Sequence, residues 1–363
     1  MPHAAILLSR QPRRPCARDL WVQKTTQAVD FLTSKNSTIV SSVGLQTWEL
    51  ITAVVSMRGA KLHLVVPGIS IDEFNRKTAR LREEFALTDR QTEFESVAIP
   101  KGTDKAGAQT LRDSAVISRA DILVPLSIRP DGNMAQAIRN AEQAGREIIR
   151  DFQIPYARRE EPIAYDIKPE QVSRQLHKIG RDYLIHWTRA SNTSWPGERK
   201  IDFYRGVISA GRYPRTAFDT LLRILTTHRL IGSPRHMPGR TRAVSFTGLS
   251  PLDCLPLMRW RARFGEMSFE PYGIGLRRSW AEKIGIEPVI YYENAGRPPV
   301  GVEPWRTQSR GIKTDWRQED EYRFRGDLDL SGIPPDQMIA FCVTRDEATR
   351  IEKENEVRVV SLY

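Results

Sequence analysis

The sequence predicts two α/β domains: a doubly wound parallel sheet in the first half, and an α+β fold with a mainly antiparallel sheet in the second. Up to about residue 155, short β-branched runs alternate with segments of helical spacing, which is typical of strands joined by crossover helices. Beyond a charged, proline-marked stretch, strands become shorter and clean helices fewer. The length of 363 residues also favours two domains over one.

The first half is predicted to begin with a basic arm at residues 1–20, because four arginines there are interrupted by prolines. A nucleotide- or DNA-binding domain follows at 21–155, then a linker at 156–175. Strands and helices are expected to alternate in this domain over residues 37–42, 47–57, 61–66, 71–85, 94–99, 107–119, 121–126, 133–144 and 147–150.

The second domain is assigned to residues 176–363, with its first helix expected to start inside the linker, at residue 171. Its strands are predicted from β-branched and aromatic runs bounded by glycine, proline or charged turns. The helices expected are 171–179 and 217–225, and the strands are 183–187, 243–246, 272–276, 288–292, 320–324, 338–343 and 357–362.

The chain is strongly basic, with a net charge of +11, and between Arg205 and Arg278 its cations are arginines without a single lysine. Arginine binds phosphate bidentately and stacks on bases, so DNA or RNA is the expected partner. A surface enriched in arginine by codon usage is the alternative. The arginines expected to bind nucleic acid are Arg235, Arg240, Arg259, Arg261 and Arg263, and the last three interleave with Trp260.

Cysteine usage and apolar run lengths indicate the compartment. The three cysteines are far apart, which fits neither a disulfide framework nor a zinc site, so no metal is expected. No run approaches the roughly 18 apolar residues of a membrane span. A cytoplasmic protein is therefore expected. Cys254 is interpreted as a buried thiol, with a nucleophile as the alternative.

Loops at the carboxyl ends of predicted strands in the first half suit a nucleotide, because ligands of open α/β sheets bind there. In one loop, Ser41, Ser42 and Gly44 let backbone amides approach a phosphate at a helix N-terminus. The loop at 126–133 offers Arg129 for an anion, with Gly132-Asn133 turning the chain into a helix. The alternative is a set of tight turns without a ligand, since the GxGxxG fingerprint is absent.

This second loop, with Ala120-Asp121 before its strand, resembles the SLOG superfamily of Rossmann-like nucleotide-binding domains over residues 36–155. That superfamily includes the DNA-processing A proteins and nucleotide sensors of phage-defence effectors. The resemblance implies a site for a nucleotide, a nucleotide-derived signal or single-stranded DNA.

In the second half, a histidine and two glutamates could act on a sugar. His186 ends an apolar strand and titrates near neutral pH. Glu319 and Glu321 lie two apart, so on a strand they would share a face and raise one pKa. A carboxylate also stabilises a cationic sugar transition state. A core histidine and surface pairs with Arg317 and Arg323 are the alternatives.

The order of motifs from residue 180 to 345 resembles the ADP-ribosyltransferase fold and bacterial abortive-infection proteins of the AbiGi type. The shared segments are VSFT at 244–247, YGIGL at 272–276, EPVIYY at 287–292 and W-x-x-E-x-E-x-R from Trp316. The resemblance implies that His186 holds a ribose, that Ser245 and Tyr272 shape a nicotinamide pocket, and that Glu319 or Glu321 stabilises the ribose cation. It also implies NAD.

Three functions stay open at this point. The first is an ADP-ribosyltransferase-like enzyme directed at nucleic acid or a nucleotide, in phage defence or DNA modification, with other proteins of such a cluster as partners. The second is a cofactor-free enzyme that changes a 7-deazaguanine-type base in DNA, which requires base flipping in a duplex. The third is a non-enzymatic nucleotide sensor.

Overall fold

A computed structural model describes residues 1–68, 70–157, 162–235, 237–262, 264–293, 296–310 and 315–363. The chain divides into two compact units. Unit 1 comprises residues 1–160 and 192–214, and unit 2 comprises residues 161–191 and 215–363.

Helices of the described residues are, in chain order, α1 (Leu20–Ser34), α2 (Gln46–Met57), α3 (Ile71–Phe85), α4 (Lys105–Arg119), α5 (Asn133–Gln143), α6 (Arg174–His177), α7 (Lys200–Ser209), α8 (Ala217–Thr227), α9 (Pro251–Cys254), α10 (Arg278–Lys283) and α11 (Arg345–Glu354).

Strands are β1 (His3–Leu8), β2 (Thr38–Ser42), β3 (Leu62–Gly68), β4 (Thr92–Ala98), β5 (Ile122–Ser127), β6 (Glu147–Ile148), β7 (Tyr183–Trp187), β8 (Arg229–Leu230), β9 (Ala243–Thr247), β10 (Trp260–Arg261), β11 (Glu266–Met267), β12 (Gly273–Arg277), β13 (Glu287–Pro288), β14 (Ile290–Tyr292), β15 (Thr307–Ser309), β16 (Glu321–Arg325), β17 (Leu328–Asp329), β18 (Met338–Cys342) and β19 (Arg358–Ser361).

Unit 1 contains a six-stranded sheet in the order β4-β3-β2-β1-β5-β6, with every neighbouring pair parallel. Its inner strands are continuous apolar runs, as expected for strands covered by helices on both faces. The direction of the crossovers reverses between β1 and β5, which is the place where open α/β sheets bind ligands. The predicted Rossmann-like fold of the first half is therefore confirmed.

The basic arm predicted for residues 1–20 is wrong at its start. The run His3–Leu8 is β1, which pairs with β2 on one side and β5 on the other, and Ala4 to Leu7 are completely buried. Five apolar residues are too few for a targeting segment but sufficient for a strand buried on both faces. The arginines that suggested an arm follow this strand.

Residues 192–214 also differ from the predicted boundary, because they belong to unit 1 and not to the second domain. Helix α7 buries Phe203, Tyr204 and Val207 in the core of unit 1. The Tyr204 hydroxyl donates a hydrogen bond of 3.0 Å to Glu49 of α2, and Lys200 pairs with the same carboxylate.

Unit 2 is built on a seven-stranded sheet in the order β13-β16-β9-β7-β12-β18-β19. Its neighbours are antiparallel except β18 and β19, so the mainly antiparallel sheet is confirmed. The helix predicted at 171–179 is shorter than expected. A 3₁₀ turn at Pro169–Gln171 precedes α6, and the Ser173 side chain caps that helix by accepting from the Leu176 amide.

The centre of this sheet is open between β7 and β9. These strands share one residue pair, Ile185 with Thr247, whereas β9 makes five pairs with β16 and β7 makes five pairs with β12. Side chains near the carboxyl end of β7 and the start of β9 therefore line a cleft in the sheet.

Candidate active site

The cleft contains a cavity of about 360 Å³, within the roughly 300 to 1,000 Å³ range of small-molecule sites. Four of the five residues predicted to be catalytic line it: His186, Ser245, Glu319 and Glu321. Three arginines join them at the wall, namely Arg189, Arg235 and Arg261. Residues separated by more than 130 positions in the sequence thus meet at one site.

His186 bridges the opening between β7 and β9. Its ring nitrogen Nδ1 lies 2.8 Å from the carbonyl oxygen of Ser245, which can only accept, so Nδ1 carries the proton and Nε2 the lone pair. The ring meets Phe246 edge-on at 5.8 Å. Burial lowers the pKa of His186; the Ser245 carbonyl opposes this shift and Arg189 adds to it. The histidine is therefore neutral at pH 7, with one defined tautomer.

Glu321 is held in one position by two strands. Ser245 on β9 donates its hydroxyl to Oε1 at 2.7 Å, and Arg323 on β16 donates Nε to Oε1 and Nη2 to Oε2, both at 2.8 Å. Arg323 is 2% exposed and also donates to the carbonyls of Trp305 and Thr307. This bidentate arrangement keeps the carboxylate fixed at the cavity wall.

Glu319 reaches the same cavity from a turn. The expected strand at 320–324 begins one residue later, at Glu321, because Asp320 adopts a left-handed conformation with φ of 42° and ends the 3₁₀ turn Trp316–Glu319. The expectation that the two glutamates share a strand face is therefore wrong, although both line the cavity. Burial raises the pKa of Glu319; Arg261, at 3.2 Å, opposes this shift, and Glu321 adds to it.

Tyr272 does not join the other four predicted residues. It lies immediately before β12, is 9% exposed, and donates its hydroxyl to Glu347 at 3.0 Å. Its ring packs beside Phe218 and Tyr165 in the core. Burial raises its pKa, so the phenol is a neutral structural group.

The arginines predicted to bind nucleic acid have different positions. Arg235 and Arg261 line the cavity, and the Arg261 guanidinium lies 5.1 Å from the centre of the Trp316 ring. Arg240 and Arg259 are exposed. Arg263 lies outside the described residues. Arg189 was not predicted as a site residue. The sequence feature that could have indicated it is its position three residues after His186.

Cys254 is fully buried at the C-terminal end of α9. Burial raises the pKa of its thiol to about 12, so the group stays protonated at neutral pH. This supports the interpretation of a structural thiol over that of a nucleophile.

In unit 1, two of the predicted phosphate-binding residues face the core. Ser41 and Ser42 are completely buried, and their hydroxyls donate to the carbonyls of Trp48 and Val65. Both residues lie inside β2, where Ser41 reaches the backbone of α2 and Ser42 that of β3. They are therefore not available to a ligand in this arrangement.

The next residues of that loop do line a cavity, of about 210 Å³, at the start of α2. Gly44 adopts φ of +88°, and Arg10 and Lys105 lie at the same cavity. No side chain caps α2, and the buried Thr47 hydroxyl has no hydrogen-bond partner among the described residues. Thr47 was not among the predicted site residues, although it follows Ser41, Ser42 and Gly44 in the same segment.

Arg129, Gly132 and Asn133 line another cavity of unit 1, of about 400 Å³. It lies at the ends of β1 and β5, where the crossover direction reverses, and Arg10 borders both cavities. This agrees with the predicted location at the carboxyl edge of the sheet.

Within the described ranges, no cluster of three or more histidine, cysteine, aspartate or glutamate side chains could hold a metal ion. A search of the same residues found no helix with the length and apolarity that a membrane crossing needs.

Neither a protein-family model nor a curated protein sequence matches this chain. Two solved structures are similar to part of it. One is DNA processing protein A from Helicobacter pylori, described for its single-stranded DNA binding mode, with 16% identity, 40% of this chain and 63% of that chain covered, and a TM-score of 0.31. The other is DNA processing protein A from Streptococcus pneumoniae, with 16% identity, coverage of 41% and 49%, and a TM-score of 0.31.

The match thus spans less than two thirds of the length of either structure.

Proposed function

We propose that unit 2 is a nucleotide-directed enzyme that breaks an N-glycosidic bond and transfers the sugar, as ADP-ribosyltransferases do with NAD. The observation that carries this proposal is the Glu321 carboxylate, fixed by Ser245 and Arg323 in a cavity that also contains His186 and Glu319. The setting we propose is the bacterial cytoplasm, in phage defence or DNA modification, with proteins of such a cluster as partners.

The chemistry follows from where charge develops. When the bond between a sugar carbon and a base nitrogen breaks, the electron pair leaves with the base and the sugar becomes cationic. An anionic carboxylate that is already oriented stabilises this transition state without reorganising. Glu321 has this character, because three hydrogen bonds hold it in place.

The acceptor must lose a proton as it attacks the sugar carbon. Glu319 suits this step, since its raised pKa makes it a stronger base than an ordinary glutamate. His186 is neutral and presents Nε2 as an acceptor for a sugar hydroxyl. NAD fits this set as the donor substrate, because nicotinamide leaves as a neutral base.

The test incubates the full-length protein with NAD and a mixture of DNA and RNA, followed by mass spectrometry. Released nicotinamide, with or without an ADP-ribose adduct, is the expected product, and Glu321→Gln should abolish it. Glu282→Gln, an exposed glutamate in α10, is the matched control and should stay active. Nicotinamide release that is unchanged in Glu321→Gln would refute the assignment.

A second candidate, cofactor-free modification of a 7-deazaguanine-type base in DNA, is favoured by one feature. Arg261 lies against Trp316 and beside Glu319, and an aromatic ring with a guanidinium suits the stacking of an extruded base. Intact NAD together with an altered nucleoside in digested DNA, lost on Trp316→Ala, would support this function over the first.

For unit 1 we propose binding of a phosphate-bearing nucleotide or single-stranded DNA at the start of α2. The amides of an uncapped helix start, the Thr47 hydroxyl and Lys105 provide donors and positive charge. Thr47→Val and Lys105→Met should weaken binding of a labelled oligonucleotide or of ATP. Lys24→Met, a half-buried control on α1 that does not line this cavity, should bind as the unaltered protein does.

A further inference from the structure

Two arginines of the unit 2 cavity share one carboxylate. The Nη1 atoms of Arg189 and Arg235 lie 3.2 Å and 3.1 Å from the two oxygens of Glu266. The glutamate side chain is 10% exposed, whereas the Arg189 and Arg235 side chains are 40% and 48% exposed. The guanidinium groups are therefore anchored from behind by a buried anion while facing the cavity.

The arginines of this cluster differ in their carboxylate partners. Arg261 is paired with Glu319 and Arg323 with Glu321, one to one. Arg189 and Arg235 share the carboxylate of Glu266, and the buried carboxylate of Glu270 also acts on Arg189. Burial lowers the pKa of Arg189, Glu266 opposes that shift, and the neighbouring Arg235 and Arg261 add to it, so these guanidinium groups repel one another.

We propose that Arg189 and Arg235 form a phosphate subsite, which holds a phosphate of the nucleotide whose sugar lies at Glu321. In the described residues, each guanidinium donates to Glu266 through Nη1 alone. The remaining N–H groups match the geometry of phosphate oxygens. The inference rests on the proposed function, because it assigns the other end of that substrate.

The proposed phosphate subsite lies beside the arginine that pairs with Glu319. Arg261 and Glu266 are directly opposite each other in the β10–β11 pair, so the anchor of the phosphate subsite and the partner of Glu319 occupy facing positions. A phosphate at Arg189 and Arg235 thus lies next to the carboxylates that act on the sugar.

Two guanidinium groups held on one carboxylate suit a phosphate that presents two free oxygens. A phosphodiester and one phosphate of a pyrophosphate both have this form. A dinucleotide and a nucleic-acid backbone both provide this group, and the experiment separates them.

The experiment measures binding of ADP-ribose, adenosine and a short single-stranded oligonucleotide by titration calorimetry, with the full-length protein. Arg235→Met and Arg189→Met should each weaken ADP-ribose binding roughly tenfold and reduce its salt dependence, while adenosine binding stays unchanged. Weakening confined to the oligonucleotide identifies the backbone as the source of the phosphate. ADP-ribose and oligonucleotide affinities that are both unchanged in the two variants would overturn the subsite.

Control variants distinguish a loss of this subsite from a general loss of folding, from binding at unit 1 and from a failure of the proposed reaction. Arg229→Met removes an exposed arginine that pairs with Asp327 and does not line the cavity, and should bind normally. Arg235→Lys retains the charge without the planar fork and should give an intermediate affinity.

Binding that is lost in Lys105→Met, and not in the two arginine variants, takes place at unit 1. If Glu321→Gln retains turnover while Arg235→Met loses binding, the proposed reaction fails and the subsite stands.

Discussion

Glu321 and Arg323 lie two residues apart on β16, and the guanidinium binds both oxygens of the carboxylate at 2.8 Å. Because alternate residues of a strand point to one face, this pairing is a direct result of strand geometry. Arg323 also donates to the Gln308 side chain and to two backbone carbonyls, so each of its three guanidinium nitrogens is hydrogen-bonded. The same residue orients the carboxylate and anchors β16 to residues 305–308.

Removing this arginine should therefore be costly. In Arg323→Met, Glu321 and the carbonyls of Trp305 and Thr307 lose their donor in a buried environment, and the free energy of unfolding should fall by about 3–5 kcal/mol. Denaturant titration of the full-length protein measures this. Arg317→Met, which removes an exposed arginine near the same site, should leave the transition unchanged. Equal stability of the two variants would contradict the role assigned to Arg323.

Glu319 should make stability depend on pH in a defined direction. Its pKa in the folded protein is raised above the ordinary value of 4.5, chiefly by burial. Between these two values the folded state binds the proton more readily than the unfolded state, so the free energy of unfolding rises as pH falls through this window. Glu319→Gln should remove that increase, as measured by denaturant titrations at a series of pH values. The same slope in both proteins would argue against a raised pKa.

The hydrogen bond from His186 to the Ser245 carbonyl predicts one tautomer. Nitrogen NMR at pH 7 should show His186 protonated at Nδ1 and unprotonated at Nε2, with a pKa below the ordinary value of 6.5. His186→Asn places an amide donor near the position of Nδ1 but provides no group at Nε2. This variant should fold normally and lose turnover. Full turnover in His186→Asn would exclude a role for Nε2.

Gly273 permits close approach of β12 to β7. A methyl group there would lie 2.8 Å from the carbonyl oxygen of His186 and 2.9 Å from the Trp187 ring. Gly273→Ala should cost about 1–3 kcal/mol in stability and shift the strand that carries His186. Gly332→Ala, where nothing lies within 4 Å, provides the control. Thermal unfolding compares the two.

The apolar face of α7 should be essential for unit 1. Phe203 is 1% exposed, and its truncation in Phe203→Ala should lower the free energy of unfolding by about 3–5 kcal/mol. Hydrogen exchange should show the loss in α2, against which α7 lies through Lys200 and Tyr204. If hydrogen-exchange protection within residues 1–160 did not depend on Phe203, the assignment of α7 to unit 1 would be contradicted.

The parts of the fold that follow from local periodicity were predictable from the sequence. Helix α3 has the predicted bounds, and β7 as well, because each has a clear repeat and a clear stop. β1 and α7 were misassigned for the opposite reason. The local sequence of neither element indicates the domain to which it belongs. β1 is positioned by its pairing with β2 and β5, and α7 by its packing against residues about 150 positions earlier.

The residues of the candidate site also divide into those that the local sequence indicated and those that depend on tertiary contacts. Residue type and order singled out His186, Ser245, Glu319 and Glu321 in the sequence, and the cavity contains all four. The shared use of Glu266 by Arg189 and Arg235 was not visible, because it depends on the pairing of β11 with β10 and on the loop before Arg235. Ser41 and Ser42 were misassigned because their type suited a phosphate, whereas both lie inside β2 and their hydroxyls donate to the carbonyls of Trp48 and Val65.

Residues 192–214 belong to unit 1 although they follow β7 of unit 2 in the sequence, and this has a consequence for synthesis on the ribosome. Translation proceeds from the N-terminus, so β7 of unit 2 emerges before α7 can cover the apolar surface that Phe203 and Tyr204 bury. A nascent chain of about 190 residues therefore has all six strands of the parallel sheet and an unfinished core. Unit 1 can complete its core only after residues 192–214 have been synthesised, and these follow β7 of unit 2 in the sequence. Chaperones that bind the nascent chain during that interval should contact α2 and α3.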